Sequence, residues 1–527
     1  MRWKRILWLG PWRRCRRSGN YDGPKGSTGV VRTGMRLGID CQRLCTLSCG
    51  AVSGVSGVLM HLLTRQATVA PEGFNRWLVP PAAVAVHMCI GQVYAFSVFN
   101  KPLSAELGIP VSQVNTAYML ALVMLGLSAA VFGKWVERSG PRMSIVASWA
   151  CFCGGLLITA AGVASRQPWL LWGGYGVVGG IGLGLGYIAP VSTLVKWFPD
   201  RPGMATGMAI MGFGGGALVG SPLAQELMTA FAEPSATGAA AALVAMAAIY
   251  TIFMLFGAWI VRVPPAGWQP GVDAASGSMA TRVKPVASVA VETAWKTPQF
   301  WLLWVVLCMN VSAGIGVLGR AADMCQDMFG VSVTIGAGFT GLLSIANMAG
   351  RFVWSSISDV IGRKAVYAIY FLLGIVLFAV LPSLQEAQAR AAFVACTAIL
   401  ISMYGGGFAT VPAYLRDLFG TEQIGAIHGR LITAWSMAAV VGPTLINGLY
   451  DRRVAAGVPK GEAYNGTFFL MCGLLAVGFV ANLLIRPVAA RHHLPTPPDR
   501  PATPGSAAPA AAEATKATAA TCEGSDK

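Results

Sequence analysis

Apolar side chains in this sequence come in runs of about 20 residues, the length at which an α-helix crosses roughly 30 Å of hydrocarbon. Twelve such runs lie between residues 77 and 486. In hydrocarbon every backbone N–H and C=O must be satisfied within its own segment, so each run predicts a helix. Together they predict an all-α membrane protein with twelve transmembrane helices. The 64 glycines and 30 prolines would weaken a soluble helical protein. Membrane helices tolerate them, because neighbours satisfy freed backbone groups and small residues allow close packing. Only 12% of the residues are charged, about half the share of an ordinary soluble domain.

The placement of charge predicts orientation. The net charge is +17, and much of it precedes the first run (Arg2, Lys4, Arg5, Arg13, Arg14, Arg16, Arg17) or sits in short loops such as Lys134-Arg138-Arg142 and Arg363-Lys364. Alternate loops are poorer in Lys and Arg, the bias that puts both termini in the cytoplasm of a cell (inner) membrane. No basic helix or reader motif accompanies the charge, so no nucleic-acid partner is expected. The 12 cysteines are scattered, and Cys41, Cys45 and Cys49 have no histidine nearby to complete a zinc set. No metal, cofactor or catalytic residue is expected: no nucleophile elbow or phosphate loop stands in a plausible context, and the chain does not read as an enzyme.

The runs divide six and six. Residues 77–261 form one bundle, 298–486 the other, and the polar stretch 262–297 is a cytoplasmic linker. Residues 487–527, rich in Ala, Pro and Thr, read as a disordered tail. Residues 1–76 read as a basic extension, disordered or preceding a true start at Met60, although Leu44–Thr64 carries no charge. One offset of 222 residues superposes Glu137 on Asp359, Gly140 on Gly362 and Pro190 on Pro412. It also superposes Gly203 on Gly425, Gly207 on Gly429 and Gly220 on Gly442. Glycine and proline mark close approach or special backbone geometry, so a constant register predicts two pseudo-symmetric six-helix bundles with a site between them near mid-membrane.

Two loops at matching places, Gly133-Lys-Trp-Val-Glu-Arg-Ser-Gly-Pro-Arg142 and Ser355-Ser-Ile-Ser-Asp-Val-Ile-Gly-Arg-Lys364, resemble the G-x-x-x-D-x-x-G-R-[KR] loop of the major facilitator superfamily. Glu137 replaces the usual Asp, and Pro141 sits where a basic residue is common. The resemblance implies the major facilitator fold and a gating role for Glu137, Arg138, Arg142, Asp359, Arg363 and Lys364, latching the outward-open state. A carboxylate favours a helix N-terminus, and such pairs can bias a two-state equilibrium. Span 1 reads Gly91-Gln-Val-Tyr-Ala-Phe-Ser-Val-Phe99, spans 4 and 5 carry Gly182-Leu-Gly-Leu-Gly-Tyr-Ile-Ala-Pro-Val and Gly212-Phe-Gly-Gly-Gly-Ala, and span 7 opens Thr297-Pro-Gln-Phe-Trp. These segments resemble the oxalate/formate antiporter family over roughly residues 75–487. That implies a transporter for a small carboxylate, working by exchange.

Within the spans the informative residue is Arg351, eight residues before Asp359 and so about 12 Å up the helix from the loop. Its repeat counterpart is Ala129, so the charge belongs to one half. In the resembled family an arginine in this helix is understood to bind the substrate carboxylate, and a guanidinium suits that group. The structural alternative has Arg351 bonding carbonyls or snorkelling to the loop. Arg320 is a second candidate, with local pairing to Asp323 or Asp327, or a guard's place at the outer mouth, as the alternatives. Gln92, Tyr94, Tyr118, Tyr187, Asn310, Tyr404 and Trp435 are candidates to complete a cavity, against the commoner role of packing. The resemblance also predicts a lysine in span 11 of oxalate carriers. Here the helix after Arg430 has none, which favours a monocarboxylate by charge matching. Spans 1, 4 and 5 lack a mid-depth carboxylate, and His87 is the one buried group expected to titrate near neutrality. The sequence therefore predicts exchange of a small organic anion by a monomer in the lipid bilayer. The alternatives are proton-coupled monocarboxylate symport through His87 and a transporter-like carboxylate sensor.

Overall fold

The structure, a computed structural model, describes residues 62–234, 236–266, 268–270 and 286–495. Most of the expected basic extension, the middle of the linker and the expected tail lie outside these residues. Among the described residues twelve long helices follow one another: α1 (Arg76–Leu107), α2 (Val111–Ser139), α3 (Pro141–Ala164), α4 (Pro168–Trp197), α5 (Pro202–Ala230) and α6 (Ala239–Ile260), then α7 (Pro298–Gly319), α8 (Val333–Ile361), α9 (Arg363–Glu386), α10 (Arg390–Phe419), α11 (Ile424–Ala455) and α12 (Lys460–Leu484). Among the described residues, eleven of them are long and apolar enough to cross a membrane. The other, α8, has the same 29 residues as its repeat counterpart α2. It differs in carrying Asn347 and Arg351 in mid-helix, whereas Lys134, Glu137 and Arg138 of α2 gather at its end.

Local chemistry sets the helix ends. Proline opens α3, α4, α5 and α7, where its missing N–H costs nothing and its fixed φ suits the first turn. Gly140 and Gly362, one repeat apart, join α2 to α3 and α8 to α9 with φ of 87° and 89°, a region that penalises any side chain. Among the described residues three long helices are not regular throughout: α1 tightens to a 3-10 helix over Gly91–Phe99, α4 widens to a π-helix over Trp172–Gly179, and α11 is interrupted at Ile432 between Ile424–Leu431 and Thr433–Ala455. Helix α1 carries Lys101 and Glu106 to its far end, where Thr237 donates to the Glu106 carboxylate.

The halves meet along α2 with α11 and α5 with α8. The same glycines serve both seams. A Cβ on Gly203 would lie 2.2 Å from the Ser355 carbonyl oxygen, and one on Gly207 would lie 2.7 Å from that of Arg351. One repeat on, a Cβ on Gly425 would lie 2.7 Å from the Glu137 carboxylate and one on Gly429 2.2 Å from the Ala129 carbonyl oxygen. Inside the first half, α1 and α5 touch backbone to backbone, a Gly216 Cβ falling 2.3 Å from the Gly91 carbonyl carbon. Main chain cannot yield as a flexible side chain does, so Gly216→Val should cost at least about 1–3 kcal/mol. The expected result is a lowered thermal midpoint and a reduced monodisperse fraction in detergent, read by fluorescence-detected size exclusion. An unchanged profile would contradict the close α1–α5 contact.

The expected boundary at 76 falls differently in one respect. Residues 62–76 run against the bundle: the Ala70 N–H donates to the Val263 carbonyl and the Val263 N–H to that of Thr68, both at 2.9 Å. Arg76 pairs with Asp200 at 2.8 Å and lies over the Phe198 ring. On the other side of the linker, the Val289 N–H donates to the Phe419 carbonyl and the Leu494 N–H to that of Ser288.

Candidate functional site

Arg351 projects from α8 into the seam and is 0% exposed. Its Nε donates to the Asn347 Oδ1 one turn back and its Nη1 to the Ile210 carbonyl of α5, each at 3.2 Å, while Nη2 has no partner. No carboxylate pairs with it among the described residues. The guanidinium carbon lies 5.2 Å from the Phe408 ring centre and 5.8 Å from that of Phe213, one ring from each half. Gly214 makes the room, since a Cβ there would stand 2.6 Å from Nε. Arg351 thus takes one carbonyl of the structural alternative, does not snorkel, and keeps one end of its fork free.

An aromatic bracket surrounds the guanidinium. Tyr187 packs on Phe213 and Phe408, and Trp435 packs on the same two rings from α11. Tyr94 meets Phe213 edge-on at 5.2 Å. The hydroxyls of Tyr94, Tyr187 and Tyr404, Trp435 Nε1 and Asn310 Oδ1 are all buried without a protein partner. Leaving a buried polar group unmade costs about 1–3 kcal/mol. The free groups here are mostly donors, a surplus that suits a guest rich in acceptors. The remaining candidates turn elsewhere. The Gln92 Oε1 accepts from Tyr175 within its own half, though its Nε2 is free. Tyr118 stacks on Phe96. Arg320 pairs with neither Asp323 nor Asp327: it donates to Asn447 at 2.8 Å, lies 3.5 Å from Asp451 and covers the Tyr450 ring.

Two histidines are buried here. The His87 Nδ1 lies 2.9 Å from the Ala209 carbonyl oxygen and its Nε2 lies 3.2 Å from that of Tyr187. His428 on α11, 1% exposed, packs its ring on Tyr187 and has no partner on either nitrogen. Sequence reasoning named His87 alone. The available signal for His428 was its position between Gly425 and Gly429, two glycines of the repeat register.

At the linker end the loop residues separate into two groups. The Asp359 oxygens accept the Gly203 and Met204 N–H groups at 2.9 and 2.8 Å, capping α5 across the seam, and Arg363 holds Asp359 at 2.6 Å and Asp417 at 3.2 Å. In the other copy the Glu137 carboxylate accepts the Gly425 N–H at 2.7 Å, at the start of α11, and Lys196 at 2.6 Å. Helix starts have unpaired N–H groups and a positive dipole end, so a carboxylate fits both places. Arg142 and Lys364, exact repeat counterparts in the 222 register, stay inside their halves. Arg142 donates to the Ala258, Trp259 and Leu62 carbonyls, and Lys364 to those of Leu483 and Ile485. Arg138 is exposed. Sequence reasoning missed Lys196, which lies 59 positions from Glu137, and Glu292. The Glu292 carboxylate meets Lys134 of one half and Arg430 of the other, and the Lys134 hydrogen bond holds its carboxyl below the usual range.

A family profile described as the Major Facilitator Superfamily matches residues 82–443 and 328–519. An oxalate:formate antiporter of Oxalobacter formigenes is 29% identical over 423 residues, covering 79% of this chain and 93% of that protein. An MFS-type transporter of Escherichia coli (strain K12), YhjX, is 29% identical over 367 residues, covering 69% of this chain and 86% of its own. In fold, the chain is similar to the proton:xylose symporter XylE bound to 6-bromo-6-deoxy-D-glucose, with a TM-score of 0.59 at 14% identity, covering 78% of this chain and 96% of that one.

Proposed function

The chain belongs to the Major Facilitator Superfamily, and from that premise we propose that it carries a small organic anion, a mono- or dicarboxylate, across a membrane by alternating access and exchange. The observation that carries this reading is the state of Arg351: buried between the halves, without a carboxylate partner, one end of its fork free, and ringed by unpartnered donors from both halves. A carboxylate docking on Nη2 would satisfy the guanidinium bidentately or through neighbouring hydroxyls. Its charge would offset that of the arginine and lower the cost of closing the seam. An empty, charged site would cross that barrier slowly, which makes exchange faster than net flow. The similarity to an oxalate:formate antiporter supports the same chemistry.

In this reading Asp359 with Arg363, and Glu137 with Lys196, latch the linker end, which faces the cytoplasm of an inner membrane together with both termini. Residues 77–261 and 298–486 act as the two rocking units of a monomer, with 262–297 between them. No step requires a metal, a cofactor or a catalytic group, and no nucleic acid takes part. A second reading, proton-coupled symport, rests on His87: both its ring nitrogens face carbonyl oxygens, an arrangement that only the doubly protonated ring satisfies fully.

Purified protein in liposomes separates the two. Uptake of labelled pyruvate, oxalate and formate should accelerate several-fold when the vesicles are preloaded with the unlabelled anion. Uptake that ignores preloading and follows an imposed pH gradient would replace exchange with symport. Absence of saturable uptake across a panel of mono- and dicarboxylates would remove the anion reading.

A further inference from the structure

The transport cycle just described gives His428 no task, yet its surroundings are unusual for a packed histidine. Both ring nitrogens are buried without a partner, and the ring faces Tyr187, whose own hydroxyl is free. Seven residues separate His428 from Trp435, so it sits about 10 Å nearer the linker end than the indole beside the guanidinium. It lies between the aromatic bracket and the Glu137 latch, whose Gly425 contact is three residues away.

Its charged and titratable neighbours come from several helices. Tyr187 of α4 touches it, His87 of α1 stands behind that ring, and Arg351 of α8 lies past Phe408 of α10. Helix α7 offers no Asp, Glu, Lys, Arg or His. On the linker side, Glu137 of α2 is taken by the Gly425 N–H and Lys196, and Glu292 by Lys134 and Arg430. Among the described residues no carboxylate contacts His428.

We propose that His428 sets the charge of the anion carried: neutral, it leaves Arg351 to match a monocarboxylate, and protonated, it supplies a second positive charge that a dicarboxylate balances. A buried imidazolium with no internal counter-ion is stable only with the guest's second negative charge beside it. Proton and dianion therefore enter together, each raising the affinity for the other. Helix α11, which has no lysine after Arg430, thereby holds a conditional cation. This inference rests on the carboxylate reading above.

The test compares labelled pyruvate and oxalate, whose charges stay fixed between about pH 5.5 and 7.5, in liposomes with equal pH on both sides. For the wild type, the oxalate-to-pyruvate uptake ratio should rise by at least about tenfold as pH falls across that range, because dianion uptake follows the protonated fraction. His428→Gln should retain pyruvate uptake with a low, pH-independent ratio, and His428→Lys should give a high, pH-independent ratio. A pH-dependent ratio that persists in both variants would overturn the proposal and point to another titrating group. If both variants also lose pyruvate uptake, the wild type decides: oxalate should raise its melting temperature in detergent more at low pH than at high pH, pyruvate equally at both. Equal protection by oxalate would overturn the proposal. Saturable wild-type uptake of neither anion would sink the carboxylate reading, and this inference with it.

Discussion

Arg351→Gln is expected to lower carboxylate uptake about a hundredfold while leaving the folded protein at least as stable as the wild type. Losing a buried, hydrogen-bonded charge partner typically costs 2–5 kcal/mol of binding, and about 1.4 kcal/mol is a factor of ten. Stability moves the other way because the guanidinium is buried with no carboxylate to balance it. Removing such a charge relieves desolvation, and the shorter carboxamide can still donate within the seam. The paired result separates binding from folding: a structural arginine would lose melting temperature together with uptake. Arg351→Lys keeps the charge but loses the planar fork, so it should retain more uptake than Gln and less than the wild type. Normal uptake by Arg351→Gln would eliminate this residue as the anion's anchor.

Asp359→Asn is expected to shift the conformational balance toward opening at the linker end by about thirtyfold. The carboxylate accepts two N–H groups at the start of α5 and an ion pair from Arg363. The amide keeps one acceptor and loses the charge, and hydrogen bonds to charged groups contribute about 1.5–3 kcal/mol. Arg363 still has Asp417, so no isolated cation is left behind. Ser192, buried beside Gly425 in the matching seam, offers a reporter. In a cysteine-free background, Ser192→Cys should react with a soluble thiol reagent much faster when Asp359→Asn is added. Glu137→Gln should act in the same direction, and unchanged reactivity in both would remove the latch.

Much of the architecture could be read before any coordinates, because it follows from local rules. Apolar runs demand helices, and the glycine register that pairs Gly203 with Gly425 and Gly207 with Gly429 reappears as two equivalent seams. Arg351 was conspicuous as a lone charge in an apolar run. Side-chain direction was harder to read. Gln92 and Tyr94, two residues apart on α1, must face different sides, and one turns to Tyr175 and the other to Phe213; which of the two sides meets the seam depends on packing far away in sequence. Arg320 found Asn447, 127 positions on, rather than the aspartates beside it. His428 stands beside Arg430 at the edge of an apolar run, where a polar side chain reads as an end rather than as an interior group.

The contacts made by Arg142 and Lys364 differ in kind from those of Asp359 and Glu137. The first pair clamps α3 to the end of α6 and α9 to the end of α12, and neither clamp spans the divide. Each bundle can therefore tilt as a solid body with its internal fastenings intact. In the proposed cycle, the polar links between the halves that would break and re-form are few among the described residues: the two carboxylate caps, the Glu292 bridge from Lys134 to Arg430, Arg351 to Ile210, Thr206 to Ala409, Ser436 to Leu122 and Arg416 to Pro199. If the proposed cycle holds, its speed is written in those few links, and changes elsewhere in either bundle alter durability more than pace.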